Sequence, residues 1–327
     1  MNAFNQWIQT PLQGINENDI VDSLSGRSIT VNDDQWLFSG NNIKNISVKH
    51  HDTDLAGRTD MVTVELTVDD EVEEVTGELT VNYVFDNGWK FDAMSINEEF
   101  VASVKPEVAL TVTNEDLIAE IVGQNFILED PEAWGFFYQA EKDMHTVSIS
   151  NDEISDFVIK EQELLAKGTQ QIYHCECKVN KACGTFALGI EIPYWYQSGE
   201  WILKSIDISA KCDTLDIVGE WTGIFKDAPF GGYAVLNITD VDENGNITAV
   251  YSYTASEEDR YGQSGSYNVF GTIDMLTLDM DLAAGDWIEE PTKVLSWTKG
   301  DIRATLCVDE LAIKGTAQEG NAFEVTR

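Results

Sequence analysis

TGELTVNYVFDNGWKF, residues 76–91, and GTFALGIEIPYWYQSGEWIL, residues 184–203, carry one pattern. Each is an alternating run, a glycine turn, and a tryptophan that opens a second alternating run. Trp89 and Trp201 stand 112 residues apart. A lone hairpin cannot bury its apolar face, so each copy calls for its own small domain.

Outward from the first hairpin, alternating runs cover 43–48, 61–68, 79–85 and 89–96. Upstream, residues 18–26 predict a short helix, capped by Asn16 or Asn18 and ended by Gly26. The second copy repeats this order. Asp116 matches Asp19 and Gly123 matches Gly26, both at an offset of 97. Trp134 falls near the place of Trp36, and 147–149 echoes 46–48. Residues 154–168 read as an insertion whose EQELLA portion predicts a helical turn or two. The strand 173–179 echoes 62–68. Lys105 to Glu107 read as a linker, because proline cannot continue a strand ladder. Residues 1–15 read as an entry helix or arm.

From about Asp213 helical signals vanish. Short runs separated by glycine-rich turns cover 217–225, 234–239, 246–253, 265–273, 276–282, 293–297, 301–307, 311–317 and 323–326. That spacing predicts one closed antiparallel barrel of about eight strands, which leaves no exposed sheet edge.

The totals bound the chemistry. The 327 residues hold 58 acidic and 20 basic side chains, a net charge of −38. Such a surface repels phosphate backbones and anionic lipid, so nucleic acid is excluded as a partner. It suits a cation-rich setting in which counterions screen self-repulsion. No apolar run approaches the ~20 residues that a membrane span needs. Residues 1–14 lack the basic and apolar regions of a signal peptide. Two settings remain: the cytoplasm, or the outside of a cell with the anchor absent from this sequence.

The sharpest side-chain cluster is Cys175 and Cys177, with His174 beside them and Cys183 across a turn. In a strand the two cysteines share a face and His174 points away. At an offset of 111 they fall on Val64 and Leu66, members of an apolar face. The favoured reading is therefore two small core residues. A Cys177–Cys183 disulfide and a metal site are the alternatives. Asp240, Asp242, Asn244 and Gly245 match the first half of a calcium loop, but Tyr251 holds the position where a bidentate acid belongs. A plain hairpin turn fits the same residues. His50, His51, Asp52 and Asp54 read as loop between two strands, with a divalent-cation site as the alternative. No nucleophile, zinc-protease or phosphate-loop motif occurs, and no motif calls for a cofactor. An enzyme is not expected. Aromatic stripes (Trp195, Tyr196 and Trp201; Trp287 and Trp297) read first as core and second as a stacking platform.

Gly219-Glu220-Trp221, at the head of the last third, resembles the Gly-x-Trp start of lipocalin and avidin-like barrels. Later come DENGN (242–246), GSY-x-V-x-G (265–271), Trp287-Ile288-x-x-Pro291 and a final K-G-T…F-E-V-T-R strand. Together these resemble the C-terminal domain of Gram-positive membrane proteins that begin with a zinc ribbon and a transmembrane helix. The sheet units are similar to ectodomain repeats of that group, which includes the teicoplanin-resistance-associated proteins. Broadly they are similar to nuclear-transport-factor-2-like folds. The expected fold is then α+β and all-β: two repeated helix-plus-antiparallel-sheet domains (1–105 and 106–212) followed by a lipocalin-like antiparallel β-barrel (213–327). The resemblance implies a cell-envelope ectodomain on the extracellular face that binds a glycan, peptide or wall polymer. Trp221, Tyr251, Tyr253, Tyr267 and Trp287 are its candidate ligand contacts, and Asp240, Asp242 and Asn244 the weaker metal candidates. A small-molecule carrier and a hydrolase with unrecognised carboxylates are the alternatives.

Overall fold

Two short helices start on the same chemistry. In α1 (Glu17–Leu24) the Asn16 side chain accepts from the amides of Asn18 and Asp19, and Asp19 accepts from the Asn16 amide. In α2 (Asn114–Ile121) Thr113 and Asp116 make the reciprocal pair. These capping boxes satisfy amides that a helix start leaves open. The helices stop before Gly26 and Gly123, at φ +82° and +85°, a region that glycine enters without steric cost.

The protein is described by a computed structural model covering residues 15–54, 56–128, 142–225, 232–255, 264–291, 299–317 and 321–327. It is mostly β. β1 (Ser28–Val31) pairs with β2 (Asp34–Leu37). β3 (Ile43–Asp54), β4 (Thr59–Asp69), β5 (Glu73–Phe85) and β6 (Trp89–Ile96) form an antiparallel sheet in that order, and β7 (Val101–Val104) pairs with the start of β5. Further on, β8 (Asn125–Ile127) pairs with β9 (Thr146–Ser148), after the short α3 (Lys142–His145). A second sheet then takes β10 (Ile154–Leu165), β11 (Gln170–Lys181), β12 (Gly184–Gln197) and β13 (Glu200–Leu203) in order, and β14 (Asp207–Leu215) pairs with β12.

Three expectations are corrected here. Residues 154–165 form no helix: they are β10, an edge strand held by β11, and Lys160 reaches Glu176 at 3.0 Å. Val147 lies in the small β8–β9 pair rather than in the sheet position held by Ile46–Val48. Residues 50–54 are strand rather than loop, because β3 stays paired with β4 out to Asp54. Trp134, Trp297, the strand expected at 293–297 and the arm at 1–14 lie outside the described residues.

The chain gathers into two compact units. The first holds the residues up to Thr111 with Glu163–Ile172 and Tyr194–Leu203; the second holds Val112–Gln162, Tyr173–Pro193 and Lys204–Arg327. In the first unit, alternation puts Val62, Val64, Leu66 and Val68 of β4 on one buried face, packed with Ile20 and Leu24 of α1 and with Trp36 and Phe38. Polar fasteners bring in the later segments: Lys167 pairs with Asp70 at 3.2 Å, and the Trp201 indole donates to the Val108 carbonyl at 2.7 Å. In the second unit the same alternation buries Tyr173, Cys175, Cys177 and Val179 of β11.

The second unit ends in a closed antiparallel barrel: β15 (Gly219–Phe225), β16 (Gly232–Val241), β17 (Asn246–Ala255), β18 (Gly265–Ile273), β19 (Asp279–Glu289), β20 (Ile302–Cys307), β21 (Ala312–Ala317) and β22 (Asn321–Thr326). β22 returns to pair with β15, which closes the ring. No helix among the described residues is long and apolar enough to cross a membrane.

Candidate ligand site in the C-terminal barrel

The barrel has two unlike rims. At the first, Trp221 is fully buried and its indole donates to the Ile217 carbonyl at 2.9 Å. The terminal Arg327 spreads its guanidinium over the same chain entry, donating to the carbonyls of Asp216 (2.6 Å) and Val218 (3.1 Å). Gly219 lies between them at φ +139°, where a side chain would be strained.

The turns at this rim are tied to the rest of the second unit. The Thr277 carbonyl accepts from Nδ1–H of the buried His145 at 2.9 Å, and the Met275 carbonyl accepts from the Cys212 amide at 3.3 Å. Asp309 accepts from the Ser148 amide at 2.7 Å and from Lys181 at 2.9 Å, while Lys181 also reaches Glu153 at 2.8 Å. Burial alone would raise the Asp309 pKa, but the Ser148 amide and Lys181 bring it below the ordinary carboxylate range. Burial likewise works against the Lys181 charge, and the two carboxylates outweigh it, so its pKa is raised.

A row of side chains leads from this rim to the other. Cross-strand partners run Trp221, Leu236, Tyr251, Tyr267, Trp287 over β15 to β19. Strands tilt in a closed barrel, so a row of partners climbs from one rim toward the other. The sequence nominated every aromatic member of this row, and the fold brings them together. Ring centres are 5.5 Å apart for Tyr251 and Tyr267 and 5.4 Å for Tyr267 and Trp287, with Phe323 6.3 Å from Tyr251. Such tilted and edge-on pairs each add ~1 kcal/mol beyond burial. Tyr253 lies on the same inner face, one inward position further along β17, opposite Gly265. Burial pushes the Tyr251 hydroxyl far up, and burial with neighbouring Tyr267 pushes Tyr253 up to about 12, so both stay neutral.

Exposure differs along the row. Trp221, Tyr251 and Tyr267 are 0% exposed and Tyr253 is 2%, whereas Trp287 is only half-buried. Lys299 sits with Nζ 5.8 Å from the Trp287 ring centre and donates to the Gly285 carbonyl at 2.6 Å. The Tyr267 hydroxyl donates to the Gly300 carbonyl at 3.0 Å. Trp287 is thus an indole face held from below by Tyr267, beside an ammonium. Leu236, Phe323, Lys299 and Arg327 complete this arrangement. Sequence reasoning did not single them out as site residues, although Phe323 and Arg327 stand in the final strand motif.

The other nominated clusters resolve differently. Among the described residues no group of three His, Cys, Asp or Glu can hold a metal ion. Asp242 spends both carboxylate oxygens on its turn, accepting from the amides of Asn244 and Asn246 and from the Asn246 side chain. Those bonds, with the Asn246 side chain first, hold its pKa down. Gly245 completes the turn at φ +77°, where a Cβ would lie 2.3 Å from the Ile273 carbonyl oxygen. Asp240 is a ladder residue opposite Thr248. All five cysteines are free and buried. Burial pushes Cys175, Cys177, Cys183 and Cys307 up to about 11 and Cys212 to about 12, which keeps them as thiols. In β3, His51 contacts both oxygens of the buried Asp60 at 2.8 and 2.9 Å. Alternation turns His50, Asp52 and Asp54 to the opposite face.

No family model matches the chain, and no curated protein matches it. The closed eight-stranded barrel is compatible with the lipocalin-like expectation. The resemblance to zinc-ribbon membrane proteins rests on the residues quoted for it alone.

Proposed function

We propose that this chain is a non-catalytic binding module, and that its ligand stacks on Trp287 at the rim of the C-terminal barrel away from Trp221. One observation carries the reading: the aromatic row begins at a rim tied down by Arg327, His145 and Asp309 and ends at a half-buried indole. A flat apolar face beside hydrogen-bonding groups suits a sugar ring or a peptide side chain. The buried tyrosines beneath it are the support that keeps the indole in one orientation.

The proposed setting is the outer face of a Gram-positive cell envelope, with a glycan, peptide or wall polymer as ligand. The charge of −38 suits that setting. The two sheets, in this proposal, are copies of one helix-plus-sheet unit that act as a spacer. Their shared strand order supports this, as does the register: Glu73 opposite Val104 in one and Gly184 opposite Leu215 in the other keep the same offset of 111. The carrier alternative needs a lumen cleared of rings; the packing of Tyr251, Tyr267 and Phe323 favours the rim instead.

The test is a tryptophan-fluorescence titration with soluble wall-derived glycan chains and, separately, stem peptides. Saturable binding by one class, lost in Trp287→Ala but kept in Tyr233→Ala on the outer wall, supports the reading. Binding that Trp287→Ala leaves unchanged overturns it.

A further inference from the structure

Outside the barrel, on the wall formed by β19, β20 and β21, lies a groove of about 640 Å³. This is within the ~300–1,000 Å³ of small-ligand sites. Its residues belong to the second unit, and it shares none with the Trp287 rim. We infer that this groove binds the two charged ends of a short peptide, holding the carboxylate at Arg303 and the ammonium at Asp279.

The register sets the geometry. Two transverse rows face outward: Asp279, Thr305, Lys314, and Asp281, Arg303, Thr316. Both rows start with an acid on β19 and reach a cation on β20 or β21. Acids therefore gather along β19, with Asp274 beside them, and the cations Arg303 and Lys314 stand on the strands beyond. Between the two rows, on the row of opposite facing, Ala304 stands opposite Gly315, where a Cβ would come within 2.1 Å of the Arg303 carbonyl oxygen.

The charges at the two walls are available to different degrees. Arg303 is 78% exposed, and its ion pair, Nε to Asp281 at 4.0 Å, is long and exposed, so a ligand carboxylate can join it at the rest of the guanidinium fork. Lys314 is engaged by Glu310 and Glu324, which makes Arg303 the anion anchor. Asp279 is about half exposed and is oriented by the Thr305 hydroxyl, which donates to it at 2.5 Å. His145 closes one end, with its Nδ1–H committed to the Thr277 carbonyl and its Nε2 3.8 Å from Asp279.

Spacing selects the ligand. Asp279 and Arg303 are diagonal neighbours on adjacent strands, so their positions stand ~7–8 Å apart. The ammonium and carboxylate of a single amino acid are closer together than that. An extended di- or tripeptide, at ~3.3–3.6 Å per residue, spans the interval.

Calorimetric titration of the full chain tests this with three probes: triglycine, N-acetyl-triglycine and triglycinamide. Triglycine binding saturably, weakened about tenfold by either cap and about tenfold by Arg303→Gln or Asp279→Asn, is the expected result. Trp287→Ala leaves this binding intact, which separates it from the rim site. Melting temperatures of the two exposed-site variants confirm that they fold. The inference is overturned by absence of saturable binding at millimolar triglycine, by equal binding of the capped probes, or by insensitivity to Arg303→Gln.

Discussion

The two rims of the barrel hold similar residues put to different uses. Each has a tryptophan at the end of one aromatic row and a cationic side chain near it. At the tied rim, Trp221 is sealed, its indole hydrogen is committed to Ile217, and Arg327 is spent on backbone carbonyls. At the other rim, whose connections 226–231, 256–263, 292–298 and 318–320 lie outside the described residues, Trp287 is half-buried and Lys299 stands beside its ring. A fully buried aromatic residue is structure; the same residue half-buried is available to a ligand. Substitutions at the tied rim should therefore cost stability, and those at the Trp287 rim should cost binding.

The largest effect is expected from Trp221→Ala. Removing a fully buried indole leaves a cavity and frees the Ile217 carbonyl, a loss of about 4 kcal/mol in denaturant unfolding. A loss below about 1 kcal/mol would erase the distinction between the rims. Next is Lys181→Ala, which leaves Glu153 and Asp309 facing each other without their cation. A loss of about 3 kcal/mol is expected, with urea melts as the measurement.

That same clasp has a pH window. The Asp309 pKa is depressed, so its stabilisation is present above the ordinary carboxylate pKa of 3.8 and is lost as pH falls through the folded value. The Lys181 pKa is raised, so its stabilisation is full below 10.5 and is lost as pH rises through the folded value. Asp309→Asn should flatten the acid limb of a melting-temperature profile; an unchanged acid limb would remove Asp309 from the clasp.

Smaller effects sharpen the comparison. Arg327→Gln should cost about 1–2 kcal/mol, the worth of its hydrogen bonds to two carbonyls. Trp287→Ala should cost about 1–2 kcal/mol in denaturant unfolding, less than Trp221→Ala, because its indole is only partly buried. If Trp287→Ala destabilised as much as Trp221→Ala, the Trp287 rim would be structural as well.

Much of the barrel was legible because its strands are short, alternate cleanly and are punctuated by glycine turns. The core role of Cys175 and Cys177 was legible for a related reason: strand alternation fixes which face a residue takes. EQELLA misled because helix formers such as Glu, Gln and Leu also serve on an exposed edge strand, and pairing with β11 decides the outcome. The transverse row was legible only as a set of aromatics. Register depends on bulges, and two irregularities beside Tyr267 are what bring Trp287 opposite it. The Lys181–Asp309 clasp joins two distant segments, and in so acidic a chain no local pattern marks which carboxylates a lysine will find.

The most direct measurement is a paired titration of the native chain and Trp287→Ala with soluble wall-derived glycan and peptide fractions, followed by tryptophan fluorescence. Binding of one fraction by the native chain, weakened at least about tenfold in the variant while its unfolding free energy stays within about 2 kcal/mol of native, is the predicted result. Equal binding by the two proteins, or loss of binding only together with loss of fold, would contradict it.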